Sequence, residues 1–357
     1  MKTEVELTRK QIIHLLSLTE RDEQQALFDK AYATKVDLLG KRVNLRGLIE
    51  FSNVCQKNCL YCGIRNGNTL VHRYTMKDEE ILQAVSIAQE NGLTGVVLQS
   101  GERTDAAFVK QVVRLIQKIK NATEKSFRMT LSTGEQSLET YQKWFDAGAQ
   151  RYLLRMETTN EALYNSIHPN DGSHSFKNRL NCLEIIQQVG YQTGTGVMIG
   201  LPGQSVEHLA DDLLFIQQKG IDMVGMGPYI EHEQTPMYQK REIRISLMER
   251  FELALRMIAV LRLLMPTINI ASTTALQSIH PFGRELGLSA GANVLMPNIS
   301  PIQYRKNYLL YDNKPSLEVD ANENLENLLL RIKKMGEQVV YHDYGDSNYF
   351  INRQLNH

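Results

Sequence analysis

Val43-Asn-Leu-Arg-Gly-Leu-Ile-Glu-Phe51-Ser-Asn-Val-Cys55-Gln-Lys-Asn-Cys59-Leu-Tyr-Cys62 holds a strand and a ligand loop in one continuous run. Val43, Leu45, Gly47, Ile49 and Phe51 recur at every second position, the period of a half-buried strand. Directly behind them, three of the chain's four cysteines fall in a C-x3-C-x2-C loop, followed by Gly63. Thiolates bunched this tightly bind metal or iron–sulfur far more often than they pack. Structural zinc is closed by four ligands, and a 4Fe–4S cluster held by protein alone uses four cysteines. Three thiolates on four irons leave one iron open to an outside ligand. Zinc would need a fourth ligand such as His72, whose distance along the chain from Cys62 fits finger spacings poorly.

Working outward, strand-like runs alternate with helical ones from residue 43 almost to the end. Strands are expected at 43–51, 95–99, 127–132, 150–155, 191–199, 222–226, 268–272 and 293–297. Between them, Thr75-x-x-Asp78 signals a helix start. Phe108, Val109, Val112, Val113, Ile116 and Ile119 form one apolar helix face. Further helices fit 137–147, 175–189, 205–219, 246–264, 281–289 and 324–336. Strands separated by helices pair in parallel through right-handed crossovers, and eight such units close most naturally into a (βα)8 TIM-type barrel. The alternative is an open, doubly wound sheet. Residues 1–42 read as an N-terminal helical extension opened by Thr8-x-x-Gln11, residues 43–311 as the barrel core, and residues 312–357 as a helical segment closing it.

Forty basic residues balance forty acidic ones, so no global field recruits nucleic acid or an anionic membrane. The apolar stretch 257–266 is interrupted by Arg262 and is too short to span a bilayer. The opening MKTEVELTRK has no apolar export region, which points to a reduced, cytoplasmic compartment.

Barrel active sites sit at the carboxyl ends of the strands, where the cysteine loop falls. The same end collects Ser100-Gly101-Glu102, Ser132-Thr133-Gly134-Glu135, Arg155-Met-Glu157-Thr158 and Gly200-Leu-Pro-Gly-Gln204. Gly225-Met-Gly-Pro228, Ser272-Thr273-Thr274 and Met296-Pro-Asn298 complete the ring. Each alone reads as a turn. Together they converge on one mouth.

A C-x3-C-x2-C loop after the first strand of such a barrel resembles the radical S-adenosylmethionine (SAM) superfamily. The segments 50–63, 97–102, 151–155, 200–204 and 222–225, with Thr273-Thr274, 291–298 and Tyr304-Arg305, look like the HydE family of FeFe-hydrogenase maturases. The resemblance implies one 4Fe–4S cluster on Cys55, Cys59 and Cys62, and SAM as the ligand of the open iron. It places Tyr61 against adenine, and Ser100, Gly101 and Glu102 where SAM's amino group is received. Ser132, Glu157 and Arg179 match residues holding the ribose and methionine ends. Chemically, a carboxylate suits hydroxyls or an ammonium, and a guanidinium forks onto a carboxylate. Arg179 otherwise reads as a solvated helix residue. The deeper substrate cavity is expected to be lined by Met223, Thr273, Thr274, Met296 and Tyr304, although a methionine in a barrel is first of all core. His232 and His280 receive no role. The implied activity is cleavage of SAM to a 5′-deoxyadenosyl radical for assembly of the hydrogenase diiron centre. The implied partners are a companion radical SAM maturase, a GTPase scaffold maturase and an external one-electron donor. Two alternatives stand beside this: a radical mutase acting on an amino acid, as methylornithine synthase does, and a non-catalytic iron–sulfur protein. Some members carry three further cysteines near the C-terminus for an accessory cluster. This chain has none there, and Cys182 reads as a buried packing residue.

Overall fold

The computed structural model describes residues 7–240, 242, 245–315 and 317–355. β1 (Arg42–Ser52) pairs in parallel with β2 (Gly95–Ser100). β3 (Arg128–Ser132), β4 (Arg151–Leu153), β5 (Gln192–Thr195), β6 (Met223–Pro228), β7 (Asn269–Ser272) and β8 (Val294–Leu295) follow, each beside the one before. β8 returns to β1, with Asn44 opposite Val294 and Leu45 opposite Leu295. This closes a parallel eight-stranded barrel with helices outside it, and the open sheet is excluded.

Several strands are shorter than their apolar runs. β4 ends at Leu153, and β5 breaks after Thr195 and resumes as Met198–Ile199 beside β6. The residues released there leave the sheet to build the mouth. The helix after β1 starts at Asp78, and Glu80 accepts from the N–H of Lys77 at 2.9 Å. Thr75 is not its cap, because it is engaged with Ser52, hydroxyl to hydroxyl at 2.9 Å. The box opened by Thr8 does form, and Ser246 and Glu249 make another at the start of helix Leu247–Leu264. Outward residues of β1 meet the helix layer: Phe51 stacks on Phe108 with ring centroids 6.2 Å apart. Helices Arg9–Leu16 and Arg21–Leu39 pack outside the barrel, chiefly on helices Val206–Gln218 and Leu247–Leu264.

The end of the barrel opposite the cysteine loop is filled. β9 (Gln338–Val340) runs parallel to the start of β1, so the segment 312–357 contributes a strand as well as helices Ala321–Lys334 and Asn348–Leu355. Beyond β9, Gly345 O accepts Arg46 at 2.9 Å and Asn269 Nδ2 at 3.1 Å. Asp346 accepts Arg151 at 2.6 Å and Gln192 at 3.0 Å. Among the described residues, no helix is long and apolar enough to cross a membrane.

Candidate active site

The cysteine loop is held in shape by side chains clamped onto its backbone. Arg73 donates to the carbonyls of Asn53, Ile64, Arg65 and Asn68 at 2.7–3.1 Å. Asn58 Oδ1 accepts from Arg65 and from Gly67 N. At Gly101 a β-carbon would stand 2.4 Å from Val54 O and 2.7 Å from Cys55 Cβ, so only glycine lets the end of β2 approach the loop. There the N–H of Glu102 points at Cys55 Sγ, 3.4 Å away, and His174 Nε2 lies 3.7 Å from Cys59 Sγ. Burial pushes the Cys59 thiol up to about 12. Such thiols ionise when a cationic centre binds them. Among the described residues, no three His, Cys, Asp or Glu side chains converge on a point suited to a single metal ion.

Beside the loop sits a buried quartet of charges. Lys57 lies 3.2 Å from Glu102 and 3.0 Å from Glu135, and also donates to Ser173 O. Arg179 lies 3.6 Å from Glu102 and 3.0 Å from Glu135. All four side chains are buried. Arg179 shares its helix face with Cys182, Leu183 and Ile186, which overturns the solvated reading. Burial works against its charge, but Glu102 and Glu135 outweigh it and hold the guanidinium firmly protonated. Gly134 makes the approach possible: with φ +84°, a β-carbon there would stand 2.1 Å from Glu102 Oε2. Lys57 and Glu135 have no assigned role in the sequence reading. Their charged types inside the cysteine motif and behind β3 are visible there, but their pairing is not.

Glu157 is buried, and Arg155 forks onto both its oxygens at 2.8 Å. Arg155 also passes over Gly196, in the break of β5, to reach Gly225 O on β6. Ser132 ends β3 half-buried, and Ser100 bonds locally to Gly101 O at 2.8 Å. Tyr61 stands edge-on to His168, ring centroids 5.5 Å apart, with its hydroxyl 3.5 Å from Nε2. Burial pushes His168 down to about 3. It is therefore neutral, with Nδ1 donating to Tyr164 O and Nε2 free to accept.

The expected cavity residues separate. Thr273, whose hydroxyl donates to Met226 O, and Thr274, which accepts from Arg284, follow β7; Met296 follows β8 half-buried. Met223 lies lower, at the start of β6, with Arg46 3.1 Å from its sulfur. Tyr304 turns outward: its hydroxyl donates to Glu80 on the outer helix at 2.8 Å and its ring stacks on Tyr74. Arg305, its neighbour on the short helix Ile302–Arg305, takes the inward position. Tyr308 lies further in, fully buried, with its hydroxyl accepting from the lumen-side Gln99 at 3.3 Å. Glu50, also facing the lumen, accepts Asn298 at 2.9 Å and Lys314.

The residues present fit a three-thiolate cluster beside a zwitterion. Arg179 Nε, Glu102 Oε1 and Glu135 Oε1 are buried within ion-pair reach of charged neighbours but have no hydrogen bond in line. Donors and acceptors for an ammonium and a carboxylate thus stand ready at the loop. The model of the radical SAM superfamily matches residues 49–216. The FeFe-hydrogenase maturase subunit HydE of Thermotoga maritima is 44% identical over 87% of this chain and 85% of its own length. The 3-methylornithine synthase of Methanosarcina acetivorans is 28% identical over 90% and 87%. The solved structure of methylornithine synthase superposes with a TM-score of 0.79 at 25% identity, covering 94% of this chain and 95% of that one. HydG from Carboxydothermus hydrogenoformans shares the fold, with a TM-score of 0.79 at 20% identity over 94% and 76%. Barrel, loop and matches together define a radical SAM enzyme, a class that uses a 4Fe–4S cluster and SAM. Within that class the chain belongs to the HydE family of FeFe-hydrogenase maturases.

Proposed function

We propose that this enzyme acts in the assembly of the diiron centre of FeFe-hydrogenase. The 44% identity to a HydE maturase across most of both chains carries this reading, against 28% to a 3-methylornithine synthase. The cluster and SAM together supply a 5′-deoxyadenosyl radical. What the chain contributes is position, dryness and charge.

Cys55, Cys59 and Cys62 hold the cluster, each on a different iron. Tyr61, oriented by His168, lies along the adenine. Glu102 receives the methionine ammonium and Arg179 its carboxylate, each exchanging a contact inside the quartet for one to SAM. Ser132 and Glu157 take the ribose hydroxyls; Arg155 uses part of each Glu157 oxygen and leaves lone pairs for them. The mouth residues Ser100 and Gly101 set the backbone beside the loop. The substrate occupies the lumen above Met223, beside Thr273, Thr274 and Met296. It is an iron-bound cysteine complex carrying carbonyl and cyanide, delivered by a companion radical SAM maturase, with the product passing to a GTPase scaffold maturase. An external one-electron donor and a cytoplasmic setting complete the reading.

The deciding experiment is anaerobic maturation of apo-hydrogenase with purified companion maturases, with and without this protein. Hydrogen evolution should depend on it. SAM cleavage without any gain in hydrogenase activity would reject the maturase reading while keeping the radical SAM class, and would favour an amino acid substrate.

A further inference from the structure

Glu157, which takes the ribose of SAM under the proposed function, has a φ of +64°. This left-handed geometry is strained for a residue with a β-carbon. The surroundings must hold it there. Its N–H donates to Gly196 O at 3.0 Å, and its carbonyl accepts the N–H of Met198 at 2.8 Å. These bonds stitch the turn to the break in β5. Two residues further on, Asp212 Oδ1 accepts both the N–H of Thr159 at 2.7 Å and its hydroxyl at 2.5 Å.

Asp212 is out of character with its helix. The buried face of Val206–Gln218 is otherwise Leu209, Ala210, Leu213 and Ile216. Asp212 is fully buried, and its second oxygen has no hydrogen-bond partner. A carboxylate so placed is unfavourable, and an aliphatic side chain would suit that face better. What the carboxylate does, and an aliphatic group cannot, is fix Thr159.

We infer that Asp212 is a positioning residue for SAM binding, acting through Thr159 on the left-handed turn that presents Glu157; this rests on the ribose assignment of Glu157. Arg155 holds the Glu157 carboxylate from the lumen side, and Asp212 holds its backbone from the helix layer. Without Asp212 the turn relaxes toward ordinary backbone angles and the carboxylate leaves its place.

The test is a double-mutant cycle on the reconstituted holoprotein, reading the SAM dissociation constant by anaerobic calorimetry, with iron content and thermal midpoint as controls. Asp212→Ala should weaken SAM binding about tenfold, as removing groups that orient ligands generally does. Glu157→Ala should weaken it at least as much. The double variant should bind no worse than Glu157→Ala alone, because Asp212 acts only through Glu157. Asp212→Asn keeps the oxygen that accepts both Thr159 bonds and should stay within about twofold of wild type. Wild-type affinity in Glu157→Ala would remove the ribose assignment, and the role of Asp212 with it. Weakened binding in Glu157→Ala but not in Asp212→Ala, or full additivity of the two, would make Asp212 a stability residue and overturn its positioning role alone. Should Asp212→Ala fail to fold, Thr159→Val, which removes only the hydroxyl donor, runs the same cycle at smaller amplitude.

Discussion

Lys57 and Glu135 meet at 3.0 Å in the dry wall between the cysteine loop and helix Phe176–Val189. The pair ties a residue lying between the motif cysteines Cys55 and Cys59 to the segment behind β3. With Arg179 and Glu102 it makes a quartet of two cations and two anions. Removing one member of a buried pair leaves an uncompensated charge and is strongly destabilising, whereas replacing both is far milder. Lys57→Met should therefore lower stability by about 3 kcal/mol, and Lys57→Met with Glu135→Gln should recover most of that. Urea unfolding of the cluster-free proteins measures it. Additive losses in the double variant would mean that Lys57 acts mainly through Glu102 and Ser173.

The cluster prediction follows from three thiolates without a fourth. Each of Cys55→Ala, Cys59→Ala and Cys62→Ala should abolish cluster assembly, because under the proposed function each thiolate holds a different iron. Iron should saturate near four atoms per chain, on the order of one cubane. The EPR signal of the reduced protein should change on adding SAM. Cys182 is buried against Gln136 O at 3.7 Å, so Cys182→Ala should leave iron content unchanged and cost only a small packing loss. Iron near eight per chain, halved in Cys182→Ala, would show that this thiol is a ligand.

Arg179 carries the prediction for the methionine end of SAM. Its guanidinium is buried against two carboxylates, and a ligand carboxylate would draw on the same fork. Arg179→Ala should lower SAM affinity by a few kcal/mol, the scale of a desolvated charge-assisted contact. Arg179→Lys, which keeps the charge but loses the fork, should fall between Arg179→Ala and wild type. Calorimetric titration of reconstituted protein decides it. Unchanged affinity in Arg179→Ala would make Arg179 a member of the charge quartet only.

The barrel was legible because its signal is periodic and local. β1 can be read from Val43 to Phe51 without knowing any partner strand, and the cysteine loop behind it from spacing alone. Strand ends were less legible: apolar residues in 150–155 and 191–199 continue past the ladder because the mouth is buried too. Pairings that depend on three-dimensional approach were not legible at all. Nothing in the sequence joins Lys57 to Glu102, or Arg155 to Gly225, since those contacts depend on β-carbon-free positions at 134 and 196 and on strand register. Tyr304 shows the same limit within one turn. Its type suited the cavity, but Arg305 took the inward position and Tyr304 was left facing Glu80.

The last prediction concerns pH and the C-terminal helix Asn348–Leu355. Asp222, just before β6, is fully buried. Its Oδ2 accepts the N–H of Thr193 at 2.8 Å and Arg353 at 3.0 Å, while Oδ1 has no hydrogen-bond partner. Burial outweighs these contacts and pushes the carboxyl up to about 7. A carboxyl in the unfolded chain titrates near 4, so between about pH 4 and 7 the folded state binds the extra proton. The stabilising contribution of that proton is complete below the unfolded value and is lost as pH rises through the folded one. Relative to Asp222→Asn, which cannot ionise, the wild type should lose stability with rising pH by at most about 1.4 kcal/mol per unit, levelling off above pH 7. Urea midpoints for both proteins between pH 5 and 8 give the difference directly, with shared effects of other groups cancelling. A difference constant across that range would mean that Arg353 keeps Asp222 ionised throughout, and that the C-terminal helix is docked by an ion pair insensitive to pH.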